Sequence, residues 1–139
     1  MSHNWRSFYS REAAEYDARR YRSWYGRLFS HLHHEAVNQA LQSVPADSMI
    51  LEVASGTGHN LPVLSPHGRL VIASDLTIDM LKVSQKNLST CGNFAYVVND
   101  AFRLPFPDAQ FDIVISSRFL HLFSPAQQQT LIAEMARVL

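Results

Sequence analysis

Acids, hydroxyls and glycines gather at the ends of four short apolar runs: Glu52 through Gly58, Asp75, Asn99 with Asp100, and Ser116 with Ser117 and Arg118. Glu52 stands inside the otherwise apolar run Leu51-Glu52-Val53-Ala54, and a carboxylate buried without partners is costly. Two compatible partners suit it: the amides of the following turn, or a cationic ligand. Gly56 and Gly58 permit a tight turn and let a ligand approach the backbone closely. A dinucleotide fingerprint wants another small residue three positions after Gly58; Leu61 and then Pro62 stand there, so Gly-x-Gly-x-x-Gly is incomplete. Asp75 can accept from both vicinal hydroxyls of a ribose and would repel a 2′-phosphate. It can also cap the helix that follows, a task equally open to Thr77. Asp100 can accept from an exocyclic amine while the amide of Ala101 donates to a ring nitrogen, which is how an adenine is read. Phe102 and Leu104 supply an apolar wall beside them or pack in the core.

These residues need a scaffold, and the hydrophobic pattern supplies one. Strands are predicted over 49–54, 70–74, 94–98 and 111–116, with helices over 79–88 and 127–138, the last opened by Pro125. The strands are near-continuous apolar runs, as expected when helices cover both faces of a parallel sheet. The order β-α-β-α-β-loop-β-α implies an α/β fold with a doubly wound, Rossmann-like parallel sheet, whose ligands lie outside the carboxyl ends of the strands. Residues 1–45 differ: they form a helical N-terminal segment ahead of a core at 46–139, with helices predicted over 10–21 and 25–42. There Leu28, Leu32, Ala36, Ala40 and Leu41 recur at helical spacing. Aromatic residues interleave with arginines in this segment, which suits packed helix faces with solvated charges better than nucleic-acid binding.

Composition narrows the classes. The 139 residues suit one domain or a piece of a larger one, and 47% hydrophobic with 17% charged residues is the balance of a packed soluble domain. Twelve Lys and Arg oppose twelve Asp and Glu, which disfavours a general phosphate-binding surface and hence nucleic acid. The lone Cys91 excludes an internal disulfide and a multi-cysteine metal site. His31, His33 and His34 suggest a metal at first sight, but no carboxylate nearer than Glu35 accompanies them and a surface cluster is expected; no metal is assigned. No apolar run reaches the roughly 20 residues of a membrane span, and the polar start is unlike a secretory signal, so a cytoplasmic protein is expected.

Three stretches, read in order, carry a resemblance: Leu-Glu-Val-Ala-Ser-Gly-Thr-Gly at 51–58, Ser-Asp-Leu-Thr-Ile-Asp-Met-Leu at 74–81, and Asn-Asp-Ala-Phe-Arg-Leu-Pro-Phe-Pro-Asp-Ala-Gln-Phe-Asp-Ile-Val-Ile-Ser-Ser at 99–117. Together they resemble the class I S-adenosylmethionine-dependent methyltransferases, and in particular the small-molecule branch that includes the ubiquinone/menaquinone-biosynthesis enzymes. The resemblance covers about 49–139. It implies S-adenosyl-L-methionine as cofactor, with Glu52, Ala54, Ser55, Gly56 and Gly58 at the methionine end, Asp75 and Leu76 at the ribose, Asp100 and Ala101 at the adenine, and Ser116 at the fourth strand tip. Tyr16 and Tyr21, in a Tyr-Asp-x-x-Arg-x-Tyr stretch similar to the family's N-terminal helices, are expected to close over the methionyl group. Ala54-Ser55 replaces the family's commoner Gly-Cys or Gly-Ala, an exchange of small for small; His59 is given no role. A sulfonium methyl is already an activated electrophile, so the protein must supply mainly alignment, plus a base where the acceptor carries a proton.

His121 is placed by sequence to be that base, with a surface histidine as its alternative; Ser117 and Arg118 touch a substrate or are solvated loop residues. A small-molecule methyl acceptor is the implied partner. Family members continue into a fifth strand and two more, so the fourth strand here is expected to be an exposed edge, with Phe111, Ile113 and Val114 lacking neighbours on one side. Further chain or a homodimer would cover it. Other readings of the same pattern are a non-catalytic cofactor- or partner-binding module and, less favoured by Leu61 and Pro62, an NAD-dependent oxidoreductase.

Overall fold

The computed structural model describes residues 2–88 and 92–139, so Cys91 lies outside the described residues. Four parallel strands, β1 (Met49–Val53), β2 (Leu70–Asp75), β3 (Phe94–Val98) and β4 (Ile113–Ile115), form one sheet in the order β3-β2-β1-β4. The order reverses between β1 and β4, which is where ligands bind in open α/β sheets. Helices α1 (Ser2–Glu12), α2 (Tyr16–Tyr21) and α3 (Trp24–Leu41) precede the sheet, α4 (Leu61–Leu64) and α5 (Ile78–Asn87) cross between strands, and α6 (Pro125–Val138) follows β4.

Both faces of the sheet are covered, as the unbroken apolar strands require. On one face Ile50, Val71 and Ala73 pack with Val37 and Leu41 of α3 and Leu61 and Leu64 of α4. On the other, Leu51, Val53 and Ile72 pack with Leu104, Phe111 and Val138 of α6. Local sequence sets the helix ends. Ser23 accepts from the amide of Gly26 at 3.0 Å to start α3, and Ser124 with Gln127 forms a capping box at the start of α6, with Pro125 in its first turn.

Three predicted elements differ from those observed. The N-terminal helix begins at Ser2 and breaks into a 3₁₀ turn at Ala13–Glu15, which buries Ala13. The first strand stops at Val53, because Ala54 turns into the left-handed region with φ of 58°. The fourth strand is only Ile113–Ile115, and Phe111 is no exposed edge residue: it is 2% exposed. Its N–H donates to the carbonyl of Val138 at 2.9 Å and its ring meets Phe106 edge to face at 5.0 Å. Asp112 begins the ladder instead, donating its N–H to Met49 and accepting the Met49 amide on its carboxylate at 2.8 Å.

The exchange at Ala54 therefore has a structural cost. An L-residue in that conformation loses about 1–2 kcal/mol, part of which glycine would return as unfolded-chain entropy. Ala54→Gly is expected to raise stability by about 0.5–1 kcal/mol, read from the midpoint of denaturant unfolding at unchanged slope.

Candidate functional site

The strand tips converge. The loop 54–58 leaves β1 in a series of left-handed turns, with φ of 58° at Ala54, 56° at Gly56 and 79° at Gly58. It is tied to β2 by the Ser55 amide, which donates to the Ser74 carbonyl at 2.9 Å, and by the Gly56 amide, which donates to Asp75 Oδ2 at 2.9 Å. The two glycines do different work. A Cβ on Gly56 would meet nothing within 4 Å, so this backbone is open to a ligand, whereas one on Gly58 would stand 2.1 Å from Ser84 Oγ of α5. Gly58 lets the loop pack on α5; Gly56 leaves its Cα side open.

Asp75 holds the start of the following helix and also lines a cavity. Its Oδ1 accepts from the Thr77 amide at 2.9 Å and the Thr77 hydroxyl at 2.7 Å. Thr77 thus gives its hydroxyl back to Asp75 and makes no side-chain cap of its own. Asp100 accepts from the Phe102 amide at 3.0 Å and faces the same cavity, together with Leu76, Asn99 and Ala101.

Glu52 is the most unusual group. It is 2% exposed; Asn60 donates to its Oε1 at 2.7 Å, and its Oε2 is buried with no partner. Burial pushes its carboxyl up to about 8, so the free protein holds it protonated at neutral pH. Asn60 links three elements: its amide also donates to Ser117 Oγ at 3.0 Å, and its Oδ1 lies 3.1 Å from Nε2 of His33.

The N-terminal helices close one side. Thr57 donates to Asp17 at 2.6 Å, Ser10 donates to Asp79, and Trp5, Tyr9 and Tyr16 line the cavity. Tyr21 lies behind this wall, stacked on the His59 ring at 3.9 Å and accepting from the Arg118 guanidinium. His59 bonds Ser30 Oγ at 2.7 Å, and burial, with His34 and Arg118 nearby, lowers it to about 4, so its ring is neutral. His33 and His34 pack into this cluster, and among the described residues no group of three or more His, Cys, Asp or Glu is arranged to hold a metal.

The cavity so formed is about 380 Å³. Of the residues marked by sequence, it brings together Glu52, Ala54, Ser55, Gly56, Asp75, Leu76, Asp100, Ala101 and Tyr16. It does not bring Gly58, Tyr21, Ser116 or His121 to its lining: Ser116 donates to the Val53 carbonyl at 2.9 Å, and His121 sits exposed on a 3₁₀ turn. Trp5, Tyr9 and Asn60 were given no site role by sequence, whereas Thr57 and Asn99 fell within the marked strand-end clusters. The aromatic spacing in α1 was a visible signal for the first two; no local pattern marks Asn60.

A parallel sheet with acids, an open glycine and apolar side chains at its switch point is the arrangement in which open α/β folds bind their ligands. Comparison with known proteins supplies the family. A family model described as a methyltransferase domain matches residues 50–139, and the chain belongs to that family. It is 37% identical over 97 residues to a ubiquinone/menaquinone biosynthesis C-methyltransferase, UbiE, of Stutzerimonas stutzeri, covering 65% of this chain and 37% of that protein. The crystal structure of YcgJ from Bacillus subtilis is similar with a TM-score of 0.70 at 28% identity, over 78% of this chain and 46% of that one. A phosphoethanolamine N-methyltransferase of Haemonchus contortus, solved with phosphoethanolamine and S-adenosylhomocysteine, shares the fold with a TM-score of 0.83 at 15% identity, over 99% of this chain and 30% of that one. The chain thus matches less than half the length of each of these proteins.

Proposed function

We propose that this chain binds S-adenosyl-L-methionine across the tips of β1, β2, β3 and β4 and supports methyl transfer to a small-molecule acceptor. One observation carries the reading. Four cavity-lining residues hold buried polar atoms without a protein partner: Glu52 Oε2, Ser55 Oγ, Asn99 Nδ2 and Arg118 Nε. Buried polar groups are nearly always satisfied, so a cluster of orphans around one cavity calls for a polar ligand. The residues fit this cofactor. Glu52 is suited to its ammonium, the open backbone at Gly56 to its methionine end, Asp75 to its ribose, and Asp100 with the Ala101 amide to its adenine.

Bound there, the cofactor supplies an activated methyl on a sulfonium. The protein's share is positioning and exclusion of water. Trp5, Tyr9 and Tyr16 serve as a cap over the cavity, with the Asp17–Thr57 bond holding α2 against the loop. His121, exposed and outside the cavity, takes no part in this reading. A small-molecule acceptor is supported by the relatives named for ubiquinone and menaquinone biosynthesis, and a cytoplasmic setting goes with it. Among the described residues no helix is long and apolar enough to cross a membrane.

Calorimetry with S-adenosylhomocysteine and with NAD is the test. One-to-one binding of the first and none of the second is expected. Preference for NAD would make the chain an oxidoreductase module, and binding of neither would leave a partner-binding domain that keeps only the fold.

A further inference from the structure

Asn60 stands where a helix begins and does not cap it. It is the N-cap residue of α4, a position at which an asparagine side chain commonly accepts from the helix's free amides, yet it makes no such bond. The residue is 4% exposed, and its side chain is engaged elsewhere. Nδ2 donates to Glu52 Oε1 at 2.7 Å and to Ser117 Oγ at 3.0 Å, which uses both of its protons. Oδ1 lies 3.1 Å from His33 Nε2 of α3, and since a carbonyl oxygen only accepts, the ring donates. The series His33–Asn60–Glu52 thus runs from α3 to β1 with each proton directed towards Glu52.

That direction matters because the two ends of an amide have the same shape. Reversed, Asn60 would aim its oxygen at Glu52, which suits a protonated acid and repels a carboxylate. Glu52 must lose its proton to meet an ammonium as a carboxylate, and a buried carboxylate needs donors. Its other oxygen has none. The charges bearing on it are Asp75 of β2, which opposes ionisation, and Arg118 after β4, which favours it. His33 is half-buried, its ring parallel to that of Phe29 at 6.2 Å, one helical turn away. His34 on the same helix and His59 in the loop before α4 stand near it, both held towards neutrality by burial. We infer that His33 is a positioning residue of the cofactor site: its Nε2–H fixes the Asn60 amide so that Glu52 faces a donor and receives the cofactor's ammonium as a carboxylate. The inference rests on the cofactor reading and adds to that site a residue of α3 outside the cavity lining.

Calorimetry with S-adenosylhomocysteine across about pH 6 to 9 compares the wild type with His33→Leu, which lacks the donor, and His33→Gln, whose amide N–H can take its place. In the leucine variant the rise of affinity is expected to move to higher pH, so that affinity falls about tenfold near pH 7 and only about twofold near pH 9. Glutamine is expected to restore the wild-type profile to within about twofold. A purely structural role predicts an even loss at every pH. That result, an unaffected leucine variant, or a glutamine variant that behaves like leucine overturns the inference. Nitrogen NMR of the wild-type ring needs no variant: a proton on Nε2 is expected, and a neutral ring protonated only at Nδ1 overturns the inference. Failure of the wild type to bind S-adenosylhomocysteine refutes the cofactor reading instead. The Glu52 midpoint is then read without ligand, from the stability difference between each chain and its Glu52→Gln counterpart. A midpoint that His33→Leu moves upward upholds the link to Glu52, and an unmoved one overturns it.

Discussion

Glu52→Gln is expected to stabilise the ligand-free chain above neutral pH while weakening its hold on the cofactor. The Glu52 carboxyl titrates near 4.5 in an unfolded chain and near 8 in the fold, where burial dominates and the bond from Asn60 only partly offsets it. Between those values the folded state binds more protons than the unfolded one. Its stabilising protonation is therefore fully present below about 4.5 and is lost as pH rises to about 8. Glutamine keeps an acceptor for Asn60 and removes the charge, so the variant should gain on the order of a few kcal/mol over wild type at pH 8 and above, and little below 4.5. His59 runs the other way, its depressed pKa adding stability as pH rises from about 4 to 6.5, so the wild-type profile alone is mixed. The difference between the two denaturation profiles isolates Glu52. A flat difference would mean the carboxyl is already ionised in the fold. Binding supplies the counterpart: a cationic ligand favours the ionised acid, so wild-type affinity for S-adenosylhomocysteine should climb between pH 6 and 8, and the climb should vanish in Glu52→Gln.

Asp75→Ala is expected to lower affinity for S-adenosylhomocysteine by about 1–3 kcal/mol, since charge-assisted bonds to the ribose hydroxyls are lost. Part of the effect passes through the loop. Asp75 anchors the Gly56 amide and both donors of Thr77, so its removal frees the backbone that should meet the ligand. Adenosine alone, titrated beside S-adenosylhomocysteine, should lose a similar amount if the ribose contact dominates. Unchanged affinity for both would remove the ribose assignment.

The sheet was legible because burial on both faces writes strands as unbroken apolar runs, and the residues that interrupt or end them had no packing reason to be acids. Glu52, Asp75 and Asp100 were found that way. What stayed hidden depends on contacts across the chain. Asn60 matters because α3, β1 and the segment after β4 meet at its side chain, and Thr57 because α2 brings Asp17 to it. Ala54 reads as a harmless small residue until its φ is known. Gly58 was expected to face a ligand and instead faces Ser84, since composition does not say on which side of a turn a glycine is needed. His121 falls one residue after the loop enters its 3₁₀ turn, and that turn sends it to solvent.

Amide hydrogen exchange with and without S-adenosylmethionine tests most directly whether the strand tips act as one site. Slowed exchange is expected together in 52–60, 75–77 and 99–102, with the outer surface of α6 unchanged. Slowing confined to one of these segments, or spread instead over α6 and the outer side of β4, would contradict a shared cofactor cleft at the switch point of the sheet.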